Sequence, residues 1–231
     1  MNGRILRSRT MAPPSRCHGP GAPVPSRIDR NDIRTSSRGS GRSYVYVLPC
    51  RDADLVKIGY SRSPLQRFET LHPRWFEYFD LDGGALVELE RVGDARRMER
   101  DFLVRFAAQR TIAPHVVPKA AAGHTEWHAG VQEAALALAR TACAEGGLAL
   151  HAPLRGWLRA ELGSRLDRLH DWSRAMLDAV EYERFNPVEG MPGRPARALR
   201  DALDACVALD LPFEAALPEA VLRWYRAQRE G

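Results

Sequence analysis

Hydrophobic positions change their period several times after residue 43. Tyr44-Val45-Tyr46-Val47-Leu48 is an unbroken aromatic and β-branched run, the composition of a buried strand. Leu55-Val56-Lys57-Ile58-Gly59-Tyr60 reads as a second strand. The polar turn Pro49–Asp54 between them is too short for a crossover, so the two must pair antiparallel. Ser61 or Ser63 can cap a helix with Pro64 near its first turn. In that helix Leu65, Phe68 and Leu71 share one face while Arg67 projects elsewhere. The stretch from His72 to Gly84 has no clear period and ends in the turn Asp82-Gly83-Gly84.

Ala85–Val92 alternates well enough for a third strand. Gly93-Asp94 then opens a helix over about Ala95–Gln109, with Met98, Phe102, Leu103 and Phe106 facing inward. Thr111–Thr125 is irregular, broken by Pro114, Pro118 and Gly123. Glu126-Trp127 should be a brief extended segment before a helix over Val131–Glu145. Gly146-Gly147 marks a boundary, beyond which Leu154, Trp157, Leu158, Leu162, Leu166, Leu169, Trp172, Met176, Leu177 and Val180 recur at helical spacing. Asn186–Pro195 reads as a loop, followed by amphipathic helices over Ala196–Leu209 and Pro218–Gln228. The expected organisation is a tail over 1–43, a small α+β domain over 44–146 and an all-α region over 147–231. Three antiparallel strands flanked by helices form the sheet of that α+β domain.

Charge is unevenly placed. Residues 1–43 hold nine Arg against Asp29 and Asp32, a net of +7, so with +5 overall the remainder sums to −2. The first segment has the composition of a disordered basic arm, able to attract nucleic acid by counterion release without reading sequence. Residues 44–130 balance 12 basic against 12 acidic side chains, a near-neutral core that motivates the non-catalytic alternative below. No run approaches the ~20 apolar residues of a membrane span. Cys17, Cys50, Cys143 and Cys206 are scattered singly, which gives neither a C-x-x-C zinc ribbon nor a disulfide framework; a reducing cytoplasm is the default compartment.

Two paired strands carrying Tyr46 and Lys57-Ile58-Gly59, an arginine eight residues later at Arg67, and Glu99 on a later helix form the most specific constellation in the chain. It resembles the GIY-YIG nuclease superfamily. Within it the nearest likeness is to the branch related to a T5 phage open reading frame and meiotically up-regulated protein 113, where the second motif reads K-I-G. The resemblance spans roughly Tyr44 to Gly130. It implies a DNA endonuclease of bacterial or phage-related type that hydrolyses phosphodiesters with Mg²⁺ or Mn²⁺. It also assigns roles: Tyr46 activates water, Lys57 and Arg67 hold phosphate, and Glu99 binds the metal. Gly59, Ser61 and His72 would line the substrate path.

Those residue types suit the chemistry. A carboxylate-bound divalent ion stabilises charge and orients water, a guanidinium offers a fixed fork to non-bridging oxygens, and glycine on a strand admits a close backbone. Several positions depart from the family pattern. Lys57 stands where many members have a phenol; Leu71 occupies the place of a frequent histidine, with His72 one position off. Glu126-Trp127 matches the branch's E-W-F signature, with His128 in place of the aromatic. No counterpart of a supporting asparagine is visible.

Each residue alone has an ordinary reading: Tyr44 could be the inward phenol instead of Tyr46, Arg67 a solvated helix residue, and Glu99 a partner in helix ion pairs. His124 and His128 flank Glu126 as H-x-E-x-H, which lacks the glutamate placement of zinc proteases. Trp157, Trp172, Trp224 and Tyr225 suit helix packing better than base stacking. The alternative function is a catalytically degenerate nucleic-acid-binding or interaction protein on the same fold, with the C-terminal helices as a surface for self-association or a protein partner.

Overall fold

The computed structural model describes residues 41–123, 125–186 and 193–230. The basic tail anticipated over residues 1–43 lies outside the described residues up to residue 40, as does His124. Strands β1 (Ser43–Pro49), β2 (Leu55–Ser61), β3 (Ala85–Leu89), β4 (Trp127–Ala129) and β5 (Ala149–His151) form one sheet in the order β4-β2-β1-β3-β5, antiparallel at every pairing. The helices are α1 (Pro64–Leu71), α2 (Trp75–Tyr78), α3 (Val92–Arg105), α4 (Lys119–Ala122), α5 (Gln132–Gly146), α6 (Leu154–Gly163), α7 (Leu166–Phe185), α8 (Arg194–Ala208) and α9 (Glu219–Glu230).

The sheet therefore has five strands where three were expected. β4 and β5 are three residues each, too short to show a period, and the central strands supply the pairing that makes them strands. β4 extends from the brief segment expected at Glu126-Trp127. β5 had no signal at all: it lies past Gly147, which takes a left-handed turn at φ 62°, in a region that otherwise reads as helix.

Both faces of the sheet are covered. Val45, Val47, Val56, Ile58 and Val87 pack with Ala95 and Phe102 of α3 and with Ala135 and Ala139 of α5. On the opposite face Tyr46, Leu48, Leu86 and Trp127 join Leu65, Phe68 and Leu71 of α1 and Trp75 and Phe76 of α2. Burial on both sides explains why β1 reads as continuous apolar sequence rather than strict alternation. The C-terminal helices share this second core through Leu158, Leu177, Leu199, Leu203 and Val221.

Polar contacts reinforce that junction. Arg74 donates to Asp201 and Asp204 of α8 at 2.7 and 2.8 Å, while the buried Tyr225 hydroxyl donates to Asp204 at 2.6 Å. Tyr225 is thus committed to packing, and Trp157, Trp172 and Trp224 also lie against this core. Among the described residues no helix is long and apolar enough to cross a membrane.

His128 of β4 faces the α3–α5 side, fully buried, with its ring edge-on to Phe106 at 6.2 Å. Neither ring nitrogen has a hydrogen-bond partner among the described residues. Burial, helped by the Arg110 charge, pushes its pKa down, so the folded protein holds a neutral imidazole. Unfolding then takes up a proton once the pH falls below the ordinary imidazole value of about 6.5, and stability drops through that range. His128→Phe should remove this acid sensitivity. It should also stabilise the fold by about 1 kcal/mol, because it deletes two unpaired polar atoms. Melting temperatures of both proteins between pH 5 and 8 check this; a variant less stable at every pH would refute it.

Candidate active site

The site grows from the register of β1 on β2. Tyr46 lies directly opposite Gly59, and its ring crosses over that glycine. A Cβ at position 59 would stand 2.7 Å from the phenol Cζ and nearer still to the hydroxyl, so only hydrogen fits. Phe68 of α1 meets the Tyr46 ring edge-on at 5.4 Å. Lys57, two residues before Gly59, emerges on the same face. Its Nζ sits 5.2 Å from the centroid of the Trp127 ring, across the β2–β4 pairing. Tyr46 and Lys57 are both at 0% exposure, an unusual depth for a lysine. Tyr44 shares this face, as residues two apart on a strand must, but is only partly buried, against Trp157.

Arg67 comes to this pair from α1. Its Nε makes a long 3.5 Å hydrogen bond to the Tyr46 hydroxyl, and its Nη2 donates to the Ala121 carbonyl at 3.0 Å, at the end of α4. Glu126, immediately before β4, supplies the counter-charge. One carboxylate oxygen accepts from Lys57 Nζ at 2.5 Å and lies 3.8 Å from Arg67 Nη2. Glu99 belongs to α3, which covers the other face of the sheet, yet it reaches the edge of β2 that the short β4 leaves open. There its Oε1 accepts the Tyr60 N–H at 3.2 Å.

Electrostatics ties the five together. Burial, and then the neighbouring Glu126 charge, push the Glu99 carboxyl up to about 6; the Tyr60 N–H, and after it Lys57 and Arg67, act against this. Burial raises the Tyr46 phenol well above its ordinary range despite Arg67 beside it, so its proton stays in place at neutral pH. Burial also pulls the Lys57 ammonium down, with Glu126 opposing. The cluster holds two cations, two carboxylates and a protonated phenol.

The sequence-level residues are brought together unevenly. Tyr46, Lys57, Arg67 and Glu99 gather around the open edge of β2, with Gly59 beneath the phenol. Ser61 ends β2, where its Oγ accepts the Ser63 N–H at 3.0 Å and shapes the entry to α1. His72 is engaged elsewhere: it stacks on Tyr78 at 4.6 Å, and its Nδ1 accepts the Arg74 N–H, which builds the turn between α1 and α2. The residue that sequence reasoning left out of the site is Glu126. Its signal in the sequence is the Glu126-Trp127 pair.

Residues 43–143 match the T5orf172 domain. This is a GIY-YIG-like, nuclease-associated domain, and the match covers β1 through most of α5. Neither curated proteins nor solved structures gave a match to the chain. Every charged member of the cluster lies inside the T5orf172 span, whereas β5 and α6–α9 lie outside it. The match points to a nucleic-acid-related role for residues 43–143.

Proposed function

We propose that the T5orf172 domain is a metal-dependent endonuclease that hydrolyses phosphodiester bonds in DNA. The observation that carries this reading is the convergence of a phenol, an ammonium, a guanidinium and a half-buried carboxylate on one sheet edge. Arg67 offers its fork to non-bridging oxygens, and Lys57 adds a point charge. Tyr46 keeps its proton and therefore orients the attacking water rather than deprotonating it.

The residues present fit a divalent ion. Among the described residues there is no cluster of three or more His, Cys, Asp or Glu side chains. Mg²⁺, however, is commonly held by one or two carboxylates plus water, and Glu99 is a partly buried carboxylate at the open edge of β2 with one oxygen engaged by the Tyr60 N–H. When bound, the ion would supply charge neutralisation and a water of lowered pKa.

Nicking of supercoiled plasmid tests the proposal and carries a pH signature. With Glu99 titrating at about 6, protons compete with the metal below that value, so the rate at subsaturating Mg²⁺ should climb about tenfold per pH unit up to about 6 and then level off. A rate that is flat through this range would remove Glu99 from the metal role. A second reading, nucleic-acid binding without cleavage, is favoured by one observation: the Lys57 ammonium is already paired with Glu126.

A further inference from the structure

Glu126 is placed where an incoming phosphate would have to go. One of its oxygens faces both Lys57 Nζ, at 2.5 Å, and Arg67 Nη2, at 3.8 Å, the two cations available to a phosphodiester oxygen. With Glu99 nearby, the two positive charges are matched by two negative ones, so an anion finds no net attraction there. Access points the same way. The Lys57 side chain is at 0% exposure and that of Glu126 at 24%, so the carboxylate lies on the solvent side of the ammonium. The chain also makes room for it: a Cβ at Gly123, where φ is +65°, would stand 2.6 Å from the Glu126 carboxylate carbon.

We propose that Glu126 is an internal competitor for the phosphate subsite, and that nucleic acid binds when the Glu126 side chain turns out and a phosphate oxygen takes its place on Lys57 and Arg67. This rests on the nucleic-acid reading of the same cluster and specifies how the site is kept from anions until substrate arrives. No bond is made or broken in the exchange; one anion replaces another on two cations. The exchange has a cost, because Lys57 is buried and cannot be left unpaired. It therefore favours a polyanion that brings neighbouring phosphates over a single free phosphate.

Anisotropy of a fluorescent DNA duplex, measured with the full chain in EDTA, separates binding from cleavage. Glu126→Gln retains an acceptor for Lys57 but removes the charge, and should bind about tenfold tighter. Its plot of log affinity against log salt should be steeper by about one, for one more phosphate neutralised. Glu181→Gln makes the same change of charge on the exposed surface of α7 and should leave affinity unchanged. Glu126→Asp keeps the charge but draws the carboxylate back by one methylene, and should fall between wild type and Glu126→Gln.

Melting curves establish that each variant is folded. Glu126→Gln and Glu126→Asp that bind no tighter than wild type would overturn the proposal. Loss of affinity in both would instead make Glu126 a positioning residue for Lys57, which also overturns it. Plasmid nicking in Mg²⁺ reports the parent reading separately. Tighter binding by Glu126→Gln with no nicking by wild type would end the nuclease and keep the competitor. Nicking by wild type with unaltered Glu126→Gln affinity would do the reverse.

Discussion

Arg67→Ala should lower the single-turnover rate of DNA cleavage by about 10²–10³-fold, equivalent to about 3–4 kcal/mol of transition-state stabilisation. Arg67 is the guanidinium that touches both the Tyr46 hydroxyl and the Ala121 carbonyl, so its fork is held in place before substrate arrives. Donors fixed in advance need no reorganisation when charge builds on the phosphoryl oxygens, which is why their loss falls on rate more than on affinity. Arg67→Lys should recover little of the loss. A single ammonium cannot span Tyr46, Ala121 and a phosphate at once. The fold should survive, because the side chain is 27% exposed and its removal costs one hydrogen bond of ordinary length, to the Ala121 carbonyl, beside the long 3.5 Å bond to the Tyr46 hydroxyl and the 3.8 Å approach to Glu126. A rate within threefold of wild type would show that Arg67 has no part in the chemistry.

Gly59→Ala is expected to be the most damaging change of a single methyl group, costing about 2–3 kcal/mol. The added Cβ would overlap the Tyr46 ring, which is fully buried and already in edge-on contact with Phe68. Because the three nearest atoms to that Cβ all belong to the phenol, the two positions must be coupled. Tyr46→Leu in the Gly59→Ala background should return part of the loss, giving a coupling energy of at least 1 kcal/mol in a double-mutant cycle. Urea unfolding of the four proteins measures it. Additive effects would mean that Tyr46 does not lie across Gly59. Gly59→Ala should also suppress cleavage in the surviving folded protein, since it displaces the phenol without altering any charge.

What could be read from the chain follows from how far each signal reaches. The hairpin of β1 and β2 and the face of α1 were legible because they rest on local composition and on a period completed within a few residues; Leu65, Phe68 and Leu71 are all buried where the spacing put them. β5 was not legible, because Ala149-Leu150-His151 becomes a strand only through Leu86, Val87 and Glu88 beside it. His72 shows the limit of spacing alone. One residue beyond the family's position was enough to turn it onto Tyr78 and into a turn. Glu99 was placed at the site by resemblance, but its route around the edge of β2 depends on β4 being only three residues long. Glu126 was visible as a motif, while its pairing with a lysine 69 residues earlier was not, since no local pattern reports such a contact.

DNA cleavage at the edge of β2 is the step on which the proposed function stands. Conversion of supercoiled plasmid to nicked circles by wild type, Arg67→Ala and Glu99→Gln, purified identically and compared with Mg²⁺ or with EDTA, tests it most directly. Wild type should nick in Mg²⁺ and not in EDTA, with both variants at least a hundredfold slower. Equal nicking by all three proteins, or none by any of them with either Mg²⁺ or Mn²⁺, would contradict it.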